Sequence, residues 1–239
     1  MYKLIKALKI FSRPVYAANF LRHRVAASVE HEAALQGLGC KTVVDIGANR
    51  GQFALAARAS YPDARIVAFE PLPGPARVFR QVFANEPQVS LHEAAVGPEA
   101  VRVDMHVSAR DDSSSLLPIG REQTRIFPGT EEAGTAPVDV RRLEEVLHPE
   151  EIVSPALLKL DVQGFELEAL RGCEPLLELF SWVYCECSFR TLYEGQALAD
   201  DVIAWLRGHG LKLIGVYNLG FDKDGKAVQA DFMFERAAV

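Results

Sequence analysis

Residues 42–60 read Thr42-Val43-Val44-Asp45-Ile46-Gly47-Ala48-Asn49-Arg50-Gly51-Gln52-Phe53-Ala54-Leu55-Ala56-Ala57-Arg58-Ala59-Ser60. Thr42–Ile46 has the make-up of a buried strand, and Gln52–Ser60 reads as a helix stopped by Tyr61-Pro62. In parallel sheets ligands sit outside the carboxyl ends of the strands, which is where this turn lies. Gly47 and Gly51 let the backbone turn tightly and approach a ligand closely. Asn49 tolerates the left-handed conformation. Asp45 places a carboxylate beside the turn, suited to orienting the loop or meeting a cationic ligand. The nicotinamide fingerprint G-x-G-x-x-G fails here, because position 49 is Asn and position 52 is Gln. A loop preceded by an acid suits an ammonium-bearing ligand better than a pyrophosphate.

The same alternation of strand and helix continues outward. Strands are expected at Arg65–Phe69, Val89–Glu93, Val101–Val107, Leu157–Asp161 and Trp182–Cys187. Helices are expected at Pro75–Asn85, Phe165–Gly172 and Ala199–His209. Leu211–Tyr217 and Val228–Glu235 flank Asp222-Lys223-Asp224-Gly225, a hairpin turn signal. Alternating βα units mean a mostly parallel sheet covered on both faces. The expected fold is α/β, doubly wound and Rossmann-like, with seven strands and a C-terminal antiparallel hairpin strand. Residues 1–40 read as a basic helical arm and lead-in, and 41–239 as one domain. Residues 108–137, rich in Ser, Gly, Pro and charge, read as a lid or insertion without regular structure.

Composition bounds the function. The chain has 239 residues, of which 49% are hydrophobic and 24% charged, an ordinary globular mixture. No apolar run approaches the roughly 20 residues of a membrane-spanning helix. The net charge of −6 argues against a nucleic-acid partner. That charge is uneven. Residues 1–29 carry Lys3, Lys6, Lys9, Arg13, Arg22 and Arg24 with no acid, a charge of +6. The rest carries 20 basic and 32 acidic residues, a charge of −12. Within residues 2–11, Tyr2, Ile5, Leu8 and Phe11 recur three apart with lysines between them. That is an amphipathic helix, either packed on the domain or in weak peripheral contact with an anionic membrane. The spacing of Cys40, Cys173, Cys185 and Cys187 suits neither zinc nor a redox pair. Buried thiols of a cytoplasmic protein are expected, and the first residues lack the continuous apolar core of a secretory signal.

Phe69-Glu70-Pro71 ends the second strand, and Pro71 holds Glu70 extended at its tip. Glu70 lies 19 residues after Gly51, where an acid can accept both hydroxyls of a ribose. The two motifs together describe a site for S-adenosyl-L-methionine. Asp45 and the loop of Gly47, Ala48, Asn49, Gly51 and Gln52 would meet the methionine end. Glu70 and Pro71 would meet the ribose, and Glu93-Ala94-Ala95-Val96-Gly97 would lie along the adenine.

Further stretches then occur in order. They are Ser113-Ser114-Ser115, Leu158-Lys159-Leu160-Asp161-Val162-Gln163-Gly164-Phe165-Glu166, Tyr193-Glu194-Gly195-Gln196 and Gln229-Ala230-Asp231-Phe232-Met233-Phe234. With the two motifs above, they resemble the FkbM-type methyltransferases over residues 28–236. The resemblance implies an S-adenosylmethionine-dependent O-methyltransferase acting on hydroxyls of sugars, glycans or related metabolites. The Tyr193-Glu194-Gly195-Gln196 version is similar to members associated with polysaccharide biosynthesis. Many such sequences carry Glu where this chain has Gln163, which removes one acid from the site.

A sugar hydroxyl is a weak nucleophile and needs a base or a metal to take its proton. Asp161, at the tip of its strand, is the first candidate base, and Glu186 ends the next strand and would face it. Two facing carboxylates share a proton or hold Mg²⁺ through oxygen. Lys159 lies on the same side as Asp161 and is expected to pair with a carboxylate. His92 reads as a structural histidine or a base. Ser113, Ser114, Glu166 and His31 are the candidate acceptor contacts. An NAD-dependent oxidoreductase and a non-catalytic scaffold of a glycan assembly complex are the competing readings.

Overall fold

The computed structural model describes residues 2–237. The strands are β1 Thr42–Ile46, β2 Arg65–Phe69, β3 Val89–His92, β4 Ala95–Val96, β5 Val101–Ser108, β6 Glu132–Arg141, β7 Ala156–Leu160, β8 Trp182–Ser188, β9 Leu211–Phe221 and β10 Ala227–Arg236. The helices are α1 Tyr2–Ser12, α2 Pro14–His23, α3 Glu32–Leu35, α4 Gln52–Ser60, α5 Pro73–Val82, α6 Arg121–Ile126, α7 Glu166–Cys173 and α8 Ala199–Gly208. A seven-stranded sheet has the order β3-β2-β1-β7-β8-β10-β9. Its first five strands are parallel, and β10 and β9 close it antiparallel. The doubly wound α/β expectation therefore holds.

All residues of β1 and β7 are buried, as a strand covered by helices on both faces requires. The two-residue period sorts their side chains. Val44, Ile46, Leu158 and Leu160 enter the core beneath α7 and α8. Val43 and Leu157 enter the other core, with Phe53 of α4 and with Ile10, Tyr16 and Val25 of the lead-in. The lead-in is thus packed on the domain. Asp45 and Lys159 share the second face, and the β1–β7 register sets them side by side. Glu186 lies opposite Asp231 across β8 and β10, and Tyr184 opposite Met233. The tips of β1, β7, β8 and β10 therefore project their polar residues to one side.

Two expectations are corrected. Val101–Val107 does form a strand, but in a separate three-stranded sheet of order β4-β6-β5. Residues 108–137 are largely regular: they hold the end of β5, a 3-10 turn at Asp111–Ser113, α6 and half of β6. The Ser, Gly and Pro content of 108–137 points away from regular structure. In the structure β4 pairs with β6 only at Val140 and Arg141, while Pro137 faces Asp104 of β5. At Pro137 the strand therefore has β5 as its one neighbour, the edge setting in which proline is tolerated. The expected hairpin forms, with its strands running to the turn and Asp222 Oδ1 accepting the Asp224 and Lys226 amides at 2.9 Å.

Gly47 is the most closely confined of the glycines. Its φ is +81°, and a Cβ there would lie 1.9 Å from the Asp161 carbonyl oxygen. Gly47→Ala is expected to lower stability by at least about 2 kcal/mol. Gly74→Ala, where a Cβ meets open space, should change it by less than about 1 kcal/mol. Thermal unfolding of the two variants checks this contrast.

Candidate active site at the strand tips

The tips of β1, β2, β7 and β8 open into a cavity of about 600 Å³, a size that suits a nucleotide-sized ligand. Gly47, Ala48, Asn49 and Gln52 line it from the first turn, and Glu70 and Pro71 from the second. Ala94 and Ala95 form an apolar wall with Val96 and Leu72. Asp161, Glu186, His31, Ser113 and Ser114 close the other side. Asn49 takes the left-handed conformation, with φ +46°. Its amide donates to Glu70 Oε2 at 2.9 Å, and the Leu72 amide donates to Oε1 at 2.8 Å. Each Glu70 oxygen keeps a free lone pair. Burial pushes the Glu70 carboxyl up to about 7, against the pull of those two amides.

Three expected site residues lie elsewhere. Asp45 is wholly buried and does not reach the cavity. The β1–β7 register turns it toward Lys159, whose Nζ lies 3.0 Å from Asp45 Oδ1. Burial raises the Asp45 carboxyl, and Lys159 pulls it back. Burial works against the Lys159 ammonium, yet Asp45, Asp161 and Asp231 hold it above the ordinary lysine value. Lys159 lines the cavity in Asp45's place and donates to the Gly47 carbonyl at 3.2 Å. Gly51 lies behind the turn against Phe83 and Phe79. Glu166 also misses the cavity, because its Oε1 accepts the Val162 and Gly164 amides, both at 3.1 Å. It clamps the loop after β7, and burial raises its carboxyl to about 7. His92 stacks on Phe69 at the outer strand, away from the cavity.

Asp161 and Glu186 do come together, but an amide stands between them. Gln163 Nε2 donates to Asp161 Oδ1 at 2.7 Å and to Glu186 Oε2 at 3.0 Å. Both amide hydrogens are thereby used, and Gln163 Oε1 accepts from the Tyr193 hydroxyl at 2.8 Å. Gln163 has φ +55°, and Ser115 Oγ fixes its carbonyl at 2.7 Å. On its far side Glu186 accepts from Gln229 Nε2 at 2.6 Å. Burial, Asp161 and Asp231 together push the Glu186 carboxyl well above the usual range. Of the two alternatives for the facing carboxylates, a Mg²⁺ site has no support here. Gln163 already occupies the inner lone pairs of both carboxylates, and no metal-holding cluster of three His, Cys, Asp or Glu occurs among the described residues.

Gln163, which stands in place of an acid, also lines the cavity, as do Gln229 and Asp231, which were not among the expected site residues. The alternation of Gln229-Ala230-Asp231-Phe232 was signal enough, since Ala230 and Phe232 enter the core and their neighbours must face the site. The segment 108–137, expected as a lid or insertion, borders the cavity through Asp111, Ser113, Leu116 and Phe127.

The family model described as "Methyltransferase FkbM domain" matches residues 45–213. The chain is 29% identical over 160 residues to 2-O-methyltransferase NoeI of Sinorhizobium fredii (strain NBRC 101917 / NGR234), covering 64% of this chain and 66% of NoeI. It is 32% identical over 163 residues to methyltransferase sdnD of Sordaria araneosa, covering 55% and 60%. It is 27% identical over 196 residues to 31-O-demethyl-FK506 methyltransferase FkbM of Streptomyces tacrolimicus, covering 72% and 73%. The chain thus spans less than two thirds of NoeI and of sdnD. Among solved structures, Streptococcus pneumoniae Sp1610, described as a candidate tRNA (m1A22) methyltransferase, aligns with a TM-score of 0.51 at 13% identity. That alignment covers 90% of this chain and 72% of Sp1610, and speaks for the fold alone. With 45–213 matched, most of the sheet and its cavity included, the chain belongs to the FkbM methyltransferase domain family.

Proposed function

We propose that this chain is an S-adenosylmethionine-dependent O-methyltransferase acting on a hydroxyl of a sugar, glycan or related polyhydroxylated metabolite. The observation that carries the reading is one cavity with two kinds of wall. Glu70 beside Ala94, Ala95 and Val96 suits a nucleoside, with the carboxylate at the ribose and the apolar wall at the base. Lys159 and the Gly47 loop suit the charged methionine end. When bound there, S-adenosylmethionine supplies an electrophilic methyl carbon on a positive sulfur.

The opposite wall holds Asp161, Glu186, Gln229 and Asp231, all side chains that accept from hydroxyls. Such a wall suits a polyhydroxylated acceptor. Asp161 is anchored by Gln163 at Oδ1 and lies 3.9 Å from Lys159 at Oδ2. It holds the acceptor oxygen in line with the methyl donor, and alignment supplies much of the rate in a displacement of this kind. The names of NoeI and FkbM, both of which specify transfer to oxygen, support the same reaction class.

Transfer of labelled methyl to a panel of glycans, with RNA as the control, tests the reading. Glycan labelling is expected, and labelling of RNA alone would contradict it. Asp161→Asn should keep affinity for S-adenosylhomocysteine and lose about a hundredfold in turnover. A variant with the normal rate would remove Asp161 from the site.

Glu70 adds a pH dependence whose sign follows from its raised value of about 7. Below that value the carboxyl is neutral and cannot accept from both ribose hydroxyls. Affinity for S-adenosylhomocysteine should therefore fall about tenfold from pH 8 to pH 6. Glu70→Gln should bind weakly at both. Calorimetric titration at the two pH values measures it, and a wild-type affinity that does not change would count against the ribose role.

A further inference from the structure

The lead-in brings a histidine to the acceptor side of the cavity. His31 ends the 3-10 turn Val29–His31 and stands edge-on to Phe53 and Tyr184, with ring centroids 5.4 and 5.6 Å away. These two contacts fix the plane of the imidazole. Its Nδ1 lies 2.9 Å from the Tyr184 hydroxyl, 3.2 Å from Asn218 Nδ2 and 3.4 Å from Asp231 Oδ2. Asp231 is 8% exposed and accepts from the Asn218 amide at 2.7 Å. Nε2 makes no hydrogen bond among the described residues. His31 lines the same cavity as Asp161 and Glu186.

The Asn218 amide nitrogen can only donate and has Tyr184 and Asp231 as its acceptors, and the Tyr184 hydroxyl is hydrogen-bonded to Asp231, so the Tyr184 oxygen accepts a hydrogen from Nδ1 and the lone pair is left on Nε2. Through Tyr184, this is the logic by which a buried acid fixes the tautomer of a catalytic histidine. We propose that His31 is the general base for the acceptor hydroxyl and that Asp231 is its positioning residue. The inference rests on the methyl-transfer reading above. Nε2 takes the hydroxyl proton while an oxygen lone pair forms the bond to the methyl carbon. The carbon–sulfur bond breaks, its electron pair stays on sulfur as a neutral thioether, and the imidazolium then yields its proton to water. Asp161 and Glu186 hold the acceptor but do not carry the proton away.

The first test needs no turnover. Long-range ¹H–¹⁵N spectra of the ¹⁵N-labelled chain at neutral pH report which ring nitrogen carries the hydrogen. His31 is expected as the Nδ1–H tautomer, and Asp231→Asn should shift it toward Nε2–H. Wild-type His31 already in the Nε2–H form would overturn the proposal. In turnover, His31→Gln should lose about a hundredfold in kcat while KM and S-adenosylhomocysteine affinity hold. Unchanged kcat in that variant would also overturn it. S-adenosylhomocysteine titration separately judges the reading beneath, so the two failures are distinguishable.

A separate observation concerns α1 and α2. Leu8, Phe11, Val15, Phe20 and Leu21 are between 38% and 73% exposed. Phe11 and Phe20 meet edge-on at 5.7 Å and join the two helices into one apolar surface. Residues 1–29 carry +6, of which Lys6, Lys9 and Arg13 face Glu30 and Glu32, and the remainder carries −12. We propose that this hairpin docks on an anionic lipid bilayer, which attracts the arm and repels the body. Lys6 and Arg24 of the arm's segment also line the cavity, so docking would hold its mouth at the lipid surface. Sedimentation with phosphatidylcholine vesicles, alone or with about 30% phosphatidylglycerol, tests this. Binding is expected only with the anionic lipid, lost in the double variant Phe11→Ser, Leu21→Ser. Equal binding to both vesicle types, or none to either, would overturn it.

Discussion

The structure turns on one buried ion pair. Asp45 and Lys159 sit side by side in the two central strands, 3.0 Å apart, with almost no exposure to water. Removing either partner from such a pair leaves a buried charge and costs about 3–5 kcal/mol. The pair also sets the cavity floor. The Lys159 ammonium reaches the Gly47 carbonyl at 3.2 Å and lies 3.9 Å from Asp161. One cation therefore ties the tip of β1 to the tip of β7, where the first turn must pass within contact of the Asp161 backbone.

From that pair the polar face continues across the sheet. Asp161, Glu186 and Asp231 would repel one another if left bare in a half-buried site. The chain answers with neutral amides and a hydroxyl: Gln163 between Asp161 and Glu186, Gln229 beyond Glu186, Asn218 and Tyr184 around Asp231. Gln163 does this work from a left-handed backbone, a cost offset by Ser115 and Tyr193 on its carbonyl and amide oxygens. The result is a wall of acceptors held in fixed orientation, which suits hydroxyl groups.

Much of this was legible in the sequence, because the two-residue and 3.6-residue periods act locally. The strand at Thr42–Ile46, its turn and the Glu70 tip all lie where the residues indicate. What escaped depended on neighbours. Asp45 beside a turn looks like a ligand contact until the register supplies Lys159. The Ser, Gly and Pro of 108–137 look structureless until β5 and β6 pair. Glu166 looks like a wall residue until the loop it clamps is in place. His31 and Asp231 lie 200 residues apart, and only the closing antiparallel strands bring them together.

Calorimetric titration with S-adenosylhomocysteine, with NAD as the control, tests the central claim most directly. Binding of S-adenosylhomocysteine alone, at one site per chain, is the predicted result. Binding of NAD alone, or of neither, would contradict the assignment of the Glu70 and Gly47 cavity to a methyl donor.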